Sequence, residues 1–162
     1  MIQYAKNPGG VTDVVIDQAY LQKWTHELSL QYFSKPFIDE VKFNSRLRTT
    51  GGRYIPSQRV IELNPKYLEE LGLDEMEGII KHELCHYHLH IEGKGYSHRD
   101  REFKELLKKT GSPRHCRQLP SDRKEYRYTY RCQACGQEYK RKRKVDINKY
   151  HCGKCKGKLK EM

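Results

Sequence analysis

The stretch GIIKHELCHYHLHIEG, residues 78–93, decides how the rest of the chain is read. It crowds four histidines, two glutamates and one cysteine into a run whose apolar residues recur at helical spacing. His82 and His86 are four residues apart, so on a helix their side chains lie one turn apart on one face. Two imidazoles placed that way can grip one tetrahedral ion, and Glu83 projects between that face and the apolar one. The pattern H-E-x-x-H supplies what a zinc hydrolase needs: two ligands, and a carboxylate that takes a proton from metal-bound water. Zinc brings the pKa of such water to about 7, which makes a nucleophile available at neutral pH. Met76, Ile80, Leu84, Tyr87 and Ile91 form an apolar stripe on the far side of Glu83. The stripe gives the helix a core to rest on and argues against the competing reading, a surface helix that is merely rich in histidine.

A catalytic zinc takes three protein ligands and keeps one position open. His88, His90, Glu92, His98 and Glu102 are the candidates for the third. His88 projects from the other side of the helix. His90 is eight residues from His82, about 12 Å along a helix axis, too far for one ion to touch both. The segment EGKG, residues 92–95, lets the chain reverse, and His98 then opens the next helix, so geometry favours His98. Its competing reading is a polar helix N-terminus without a ligand role. Cys85 reads as a packed thiol, and His90 as a partner that steadies a zinc ligand.

Residues 12–33 carry Ile16, Ala19, Tyr20, Trp24, Leu28 and Tyr32 at helical spacing. They predict one long amphipathic helix, capped by Thr12 or Asp13 and ended by Pro36. Val41, Phe43 and Leu47, the turn TTGGRY at 49–54 and the run RVIEL at 59–63 predict a meander of three short strands. NPKYLEEL predicts a short helix with Pro65 in its first turn. The motif helix is expected to start at Asp74 as N-cap, with Glu77 three residues on. Residues 98–111 predict a further helix stopped by Gly111, and residues 113–123 read as a linker in which His115 and Cys116 are incidental.

The run HELCHYHLHIEGKGYSHRDREFK, residues 82–104, resembles the SprT-like metalloprotease family, the family of the animal DNA–protein crosslink protease Spartan, and most closely its bacterial branch. RVIELNPKYL resembles the segment that precedes the motif helix there. The resemblance implies that His82, His86 and His98 hold a catalytic zinc, followed by the acidic–aromatic pair Glu102 and Phe103. It implies an α+β, zincin-type metalloprotease domain over residues 1–119, with helices on a small three-stranded sheet. In such a domain a substrate strand pairs with a sheet edge, here somewhere in residues 38–63. The implied function is a zinc-dependent endopeptidase acting on DNA-associated or DNA-crosslinked proteins, with zinc-bound water as nucleophile and Glu83 as general base. Neither Tyr96 nor Arg99, both near in sequence, is favoured as an oxyanion stabiliser.

From residue 124 the chain has its own pattern. Cys132 and Cys135 form one C-x-x-C and Cys152 and Cys155 another, with sixteen residues between, which is zinc-ribbon spacing. Four thiolates fill the coordination shell, so this zinc is structural and replaces the core that so polar a segment lacks. A thioredoxin-like redox role lacks its βαβ context. The intervening residues 137–151 suit a hairpin, and they carry the basic run Lys140, Arg141, Lys142, Arg143 and Lys144 between Tyr139 and Tyr150. Cations interleaved with aromatics suit phosphate contacts and base stacking on single- or double-stranded DNA without sequence reading.

Charge agrees with a polyanionic partner. Of 162 residues, 1–119 carry 18 Lys+Arg against 16 Asp+Glu, a net of +2, and 120–162 carry 14 against 5, a net of +9. No apolar run approaches a membrane span, and the first ten residues do not read as a signal peptide, so a cytoplasmic protein is expected, nucleoid-associated in a bacterium. Cysteines there serve as metal ligands or free thiols rather than disulfides. The alternative from another class is a nucleic-acid-binding regulatory module with structural zinc sites and no protease activity. The intact Glu83 argues against it. A hydrolase of small substrates has no support beyond the motif.

Overall fold

Asp17 is where the chain turns from strand to helix in the computed structural model, which describes residues 3–5, 14–122 and 126–162. The chain divides into two units, Met1–Leu119 and Pro120–Met162. In the first, β2 (Val14–Ile16) pairs antiparallel with β1 (Gln3–Ala5). The Asp17 side chain then accepts a hydrogen bond from the Tyr20 amide at 2.7 Å and caps α1 (Gln18–Phe33). The helix expected from Thr12 onward is therefore shorter, because the β-branched run Val14, Val15, Ile16 goes to a strand. The proposed caps Thr12 and Asp13 lie outside the described residues. Its buried face is Leu21, Thr25, Leu28 and Ser29, whereas Tyr20 stands 43% exposed. The helix stops at Ser34, whose amide donates to the Leu30 carbonyl, before Pro36 is reached.

The sheet has three strands, β3 (Glu40–Phe43), β4 (Gly52–Ile55) and β5 (Val60–Leu63). Their order is β3-β5-β4, with β3 parallel and β4 antiparallel to β5. This corrects the expected meander: β5 inserts between the two earlier strands, and all four of its residues are buried. β4 is left at the edge. Asn64 caps α2 (Pro65–Leu71) through a bond from the Lys66 amide. α3 (Leu73–Ile91) follows Gly72 directly and has no side-chain cap; Asp74 lies inside its first turn with Glu75, where carboxylates face the positive end of the helix dipole.

α3 is buried on two sides. Met76, Ile80, Leu84 and Tyr87 join Leu21 and Leu28 of α1, Val41 of β3 and Ile61 and Leu63 of β5 in the main core. Ile91, expected in that stripe, is 46% exposed at the helix end. Cys85 and Leu89 pack instead on Phe103 and Leu107 of α4 (Arg101–Thr110). Of residues 113–123, whose polar composition suggests a linker, the part up to Leu119 is anchored to the first unit. Leu119 is fully buried in the main core, Cys116 packs against that core, and Arg117 pairs with Glu75. These three anchors hold the segment in place.

The second unit, treated by itself, is a three-stranded antiparallel sheet in the order β7-β6-β8, with β6 (Tyr128–Cys132), β7 (Glu138–Arg141) and β8 (Leu159–Glu161). Of the expected hairpin at 137–151, only β7 is strand, and it pairs with β6 across the first cysteine knuckle. Among the described residues no helix is long and apolar enough to cross a membrane.

Candidate metal centres and the cleft between helix and sheet edge

α3 presents His82 and His86 on one face, and the turn before α4 brings His98 to them. The Nε2 atoms lie 3.0 Å apart for His82–His98, 3.1 Å for His86–His98 and 3.3 Å for His82–His86. Zinc with nitrogen ligands at about 2.0–2.1 Å in a tetrahedron spaces them about 3.3–3.4 Å apart, so the three rings fit one ion. The other ring nitrogens agree. His82 Nδ1 is 2.8 Å from the Pro113 carbonyl and His86 Nδ1 is 2.6 Å from the Tyr96 carbonyl. A carbonyl only accepts, so both Nδ1 atoms carry the proton and both Nε2 lone pairs face inward.

Burial pushes His86 down to about 4 and His82 below its ordinary value, against the opposing pull of those carbonyls. His98 is lowered by burial and then by His115 and Arg114. Neutral imidazole is the form a metal takes. Phe103 lies flat on His86 with ring centroids 4.2 Å apart and presents an edge to His82 and His98. Its neighbour Glu102 is exposed and stands outside the histidine cluster.

Glu83 is only 6% exposed. Burial pushes its carboxyl up to about 8, opposed by a hydrogen bond from the Tyr54 backbone amide. Gly52 of β4 makes room for it: a Cβ there would lie 3.1 Å from Glu83 Cγ and 2.9 Å from Ile79 Cγ2. A cleft of about 710 Å³ is lined by β4, the three histidines, Glu83 and residues 113–116. The Asn64 amide donates to the Gly51 carbonyl, so Gly51, Arg53 and Ile55 turn their backbone groups toward β5. By the antiparallel alternation, Gly52 and Tyr54 turn theirs outward.

His90 does not hold a zinc-ligand ring. Its Nδ1 is 2.8 Å from the Tyr54 hydroxyl, and the positions expected for it are filled by two carbonyls. Those carbonyls, of Tyr96 and Pro113, and the Tyr54 amide are the functional groups that sequence reading missed, and backbone atoms leave no trace in residue type. His88 is buried and bonded to Ser29 Oγ at 2.7 Å; that hydroxyl donates to the Lys35 carbonyl. Cys85 is fully buried, as expected of a packed thiol.

In the second unit the four cysteine sulfurs lie within 4.8 Å of one another, with Cys132–Cys155 at 3.4 Å and Cys135–Cys152 at 3.6 Å. Tyr139 is part-buried beside them. Its oxygen accepts from the Gly153 amide at 3.1 Å and donates to Cys152 Sγ at 3.1 Å. That bond is the chief cause that holds the Cys152 thiol down, to about 6. The Arg141 guanidinium lies 5.3 Å from the Tyr139 ring. Lys140, Arg141, Lys142, Arg143 and Lys144 are all exposed, and Tyr150 is 54% exposed.

A metal-binding helix and a third histidine beside a sheet edge make the first unit a metallopeptidase-like α+β domain, and the second is a zinc ribbon. The SprT-like family profile matches residues 21–125, and that of the SprT-like zinc ribbon domain matches 126–162. The chain belongs to the SprT-like family. It is 71% identical over 136 residues to "Protein SprT-like" of Oceanobacillus iheyensis, covering 84% of this chain and 91% of that one. It is 55% identical over 146 residues to the protein of the same name in Bacillus cereus strain G9842, covering 90% and 96%. Among solved structures, the metallopeptidase zymogen abylysin of Pyrococcus abyssi aligns at 20% identity and a TM-score of 0.43, over 57% of this chain and 82% of that one.

Proposed function

We propose that this protein is a zinc-dependent endopeptidase acting on proteins bound or crosslinked to DNA. The observation that carries the reading is the meeting of three histidine Nε2 atoms in a cleft that also holds the buried Glu83. His82, His86 and His98 would hold the ion. Zinc, when bound, supplies Lewis acidity that polarises a scissile carbonyl and acidifies water. Glu83 takes the proton of the attacking water and delivers it to the leaving amine. The outward backbone groups of Gly52 and the Tyr54 carbonyl align an extended substrate segment by strand addition. A second zinc, on Cys132, Cys135, Cys152 and Cys155, is structural, because four thiolates leave no open position.

The DNA part of the reading is supported by charge and exposure. Residues 120–162 carry a net +9, and every residue of the run at 140–144 is exposed. Tyr139, Tyr150, Arg141 and His151 line a pocket of about 310 Å³ on the ribbon, which suits contact with phosphate and base together. Such an enzyme works in the cytoplasm, at the nucleoid of a bacterium. The test is cleavage of a basic DNA-binding protein with single-stranded, double-stranded or no DNA. Cleavage that requires DNA and is lost on zinc removal is expected. Equal cleavage without DNA would remove the recruitment step. Tight DNA binding with no cleavage would favour a binding module with two structural zincs, in which the burial of Glu83 has no purpose.

A further inference from the structure

The chain leaves α4 at Thr110 and runs back along α3 before entering its second unit. Pro113 meets α3 at Gly78 and His82, and Arg117 meets it at Glu75. We propose that residues 112–119 are a positioning strap for the histidine site, with the Glu75–Arg117 pair as its clamp. The proposal rests on the reading that the three histidines hold zinc.

The strap is fastened at several points. Both Glu75 carboxylate oxygens are used: one accepts from the Arg117 amide at 2.7 Å, the other from Arg117 Nε at 2.5 Å. The Glu75 side chain is only 10% exposed, although Arg117 is 64% exposed, so the carboxylate is held in place and the guanidinium comes to it. Cys116 donates to the Tyr67 hydroxyl at 3.4 Å, and Leu119 is fully buried. At Gly78 a Cβ would stand 3.0 Å from Pro113 Cγ, so the bare backbone there lets the strap lie close to the helix.

What the strap delivers is the Pro113 carbonyl, 2.8 Å from His82 Nδ1. That bond fixes which nitrogen of His82 carries the proton and which faces the ion. It is a backbone bond, so no side-chain change at residue 113 deletes it. It is lost only if the strap moves. His86 is held differently, by the Tyr96 carbonyl in the turn after α3. The His82 and His86 rings are therefore oriented by different segments of the chain, and the His82 segment is the one that continues into the next unit. Glu75 and Arg117 are positioning residues: they touch neither ion nor substrate, and act through Pro113.

The test compares full-length wild type with Glu75→Gln, Arg117→Ala and Arg117→Lys. Arg101→Ala, which breaks an exposed ion pair to Glu105 on α4, is the control. Cobalt binding is measured by absorption: thiolate-to-cobalt charge-transfer bands report the ribbon, and the histidine site is read as the visible ligand-field absorption in excess of what the ribbon's own charge-transfer intensity accounts for. The nitrogen-15 spectrum of the His82 ring gives its tautomer. Arg117→Ala and Glu75→Gln are expected to weaken the histidine site about tenfold or more, leave the ribbon site unchanged, and mix the His82 tautomers. Arg117→Lys, which keeps the charge, should recover part of that loss. A folded Arg117→Ala protein with wild-type affinity and one tautomer overturns the proposal. So does equal weakening at both sites, or in Arg101→Ala, which would mean general destabilisation. Wild-type protein that binds no cobalt through its histidines would instead defeat the protease reading, before any variant is compared.

Discussion

Among the described residues, the histidine cluster rests on a core of fifteen buried residues drawn largely from helices and sheet, whereas the ribbon core has four, two of which are cysteines. In the first unit packing comes first and the donor atoms are set on top of it. In the second, two of the donor residues make up half of the core. Removing metal should therefore disarm one unit and unfold the other.

The largest effect expected from that contrast is at Cys152, which is fully buried among the ribbon ligands. Cys152→Ser should abolish the ribbon fold and leave the first unit intact. Limited proteolysis should then trim the chain back to the first unit. Resistance of residues 126–162 to protease in that variant would break the comparison. Next is Leu84, fully buried on α3. Leu84→Ala should lower the stability of the first unit by about 3 kcal/mol with zinc present or absent, read by urea unfolding.

His88 sharpens the same point with pH. Burial, and then the charge of Lys35, push its pKa down to about 4 from 6.5. The unfolded chain therefore takes up this proton first as acid is added. The stability from keeping His88 neutral is full above about pH 6.5 and drains away as pH falls toward 4, by roughly 3 kcal/mol. His88→Gln should flatten that part of the acid unfolding curve of the first unit; an unchanged slope would show that His88 is not the group responsible. The smallest effect is at Tyr139. Tyr139→Phe removes the hydroxyl on Cys152 and should weaken ribbon zinc about tenfold without unfolding the ribbon, measured by chelator competition.

How much of this was legible in the sequence follows from how local each signal is. The motif on α3 and the two C-x-x-C knuckles are written within a few residues, and the structure brings each set together. Phe103 also stands where the resemblance placed an aromatic residue, against the histidines. What failed was non-local. Val14–Ile16 read as helix because its strand partner, Gln3–Ala5, lies elsewhere in the sequence, outside the window in which helical periodicity is read. The parallel pairing of β3 with β5 is a matter of connection, which alternation does not encode. Residues 113–123 read as a linker because their composition is polar, yet Leu119 and the Glu75–Arg117 pair tie down the part up to Leu119. His90 looked like a partner for zinc ligands because it is a histidine near them, while the real partners are carbonyls.

In the proposed reaction Glu83 serves the chemistry and not the metal. The most direct measurement is made on purified Glu83→Gln beside wild type: zinc per chain by native mass spectrometry, and cleavage rate of a DNA-bound protein in the same preparation. Two zinc ions are expected in both proteins, with a cleavage rate about 10²–10⁴-fold lower in the variant. Wild-type cleavage by a variant that keeps both ions would contradict that role of Glu83.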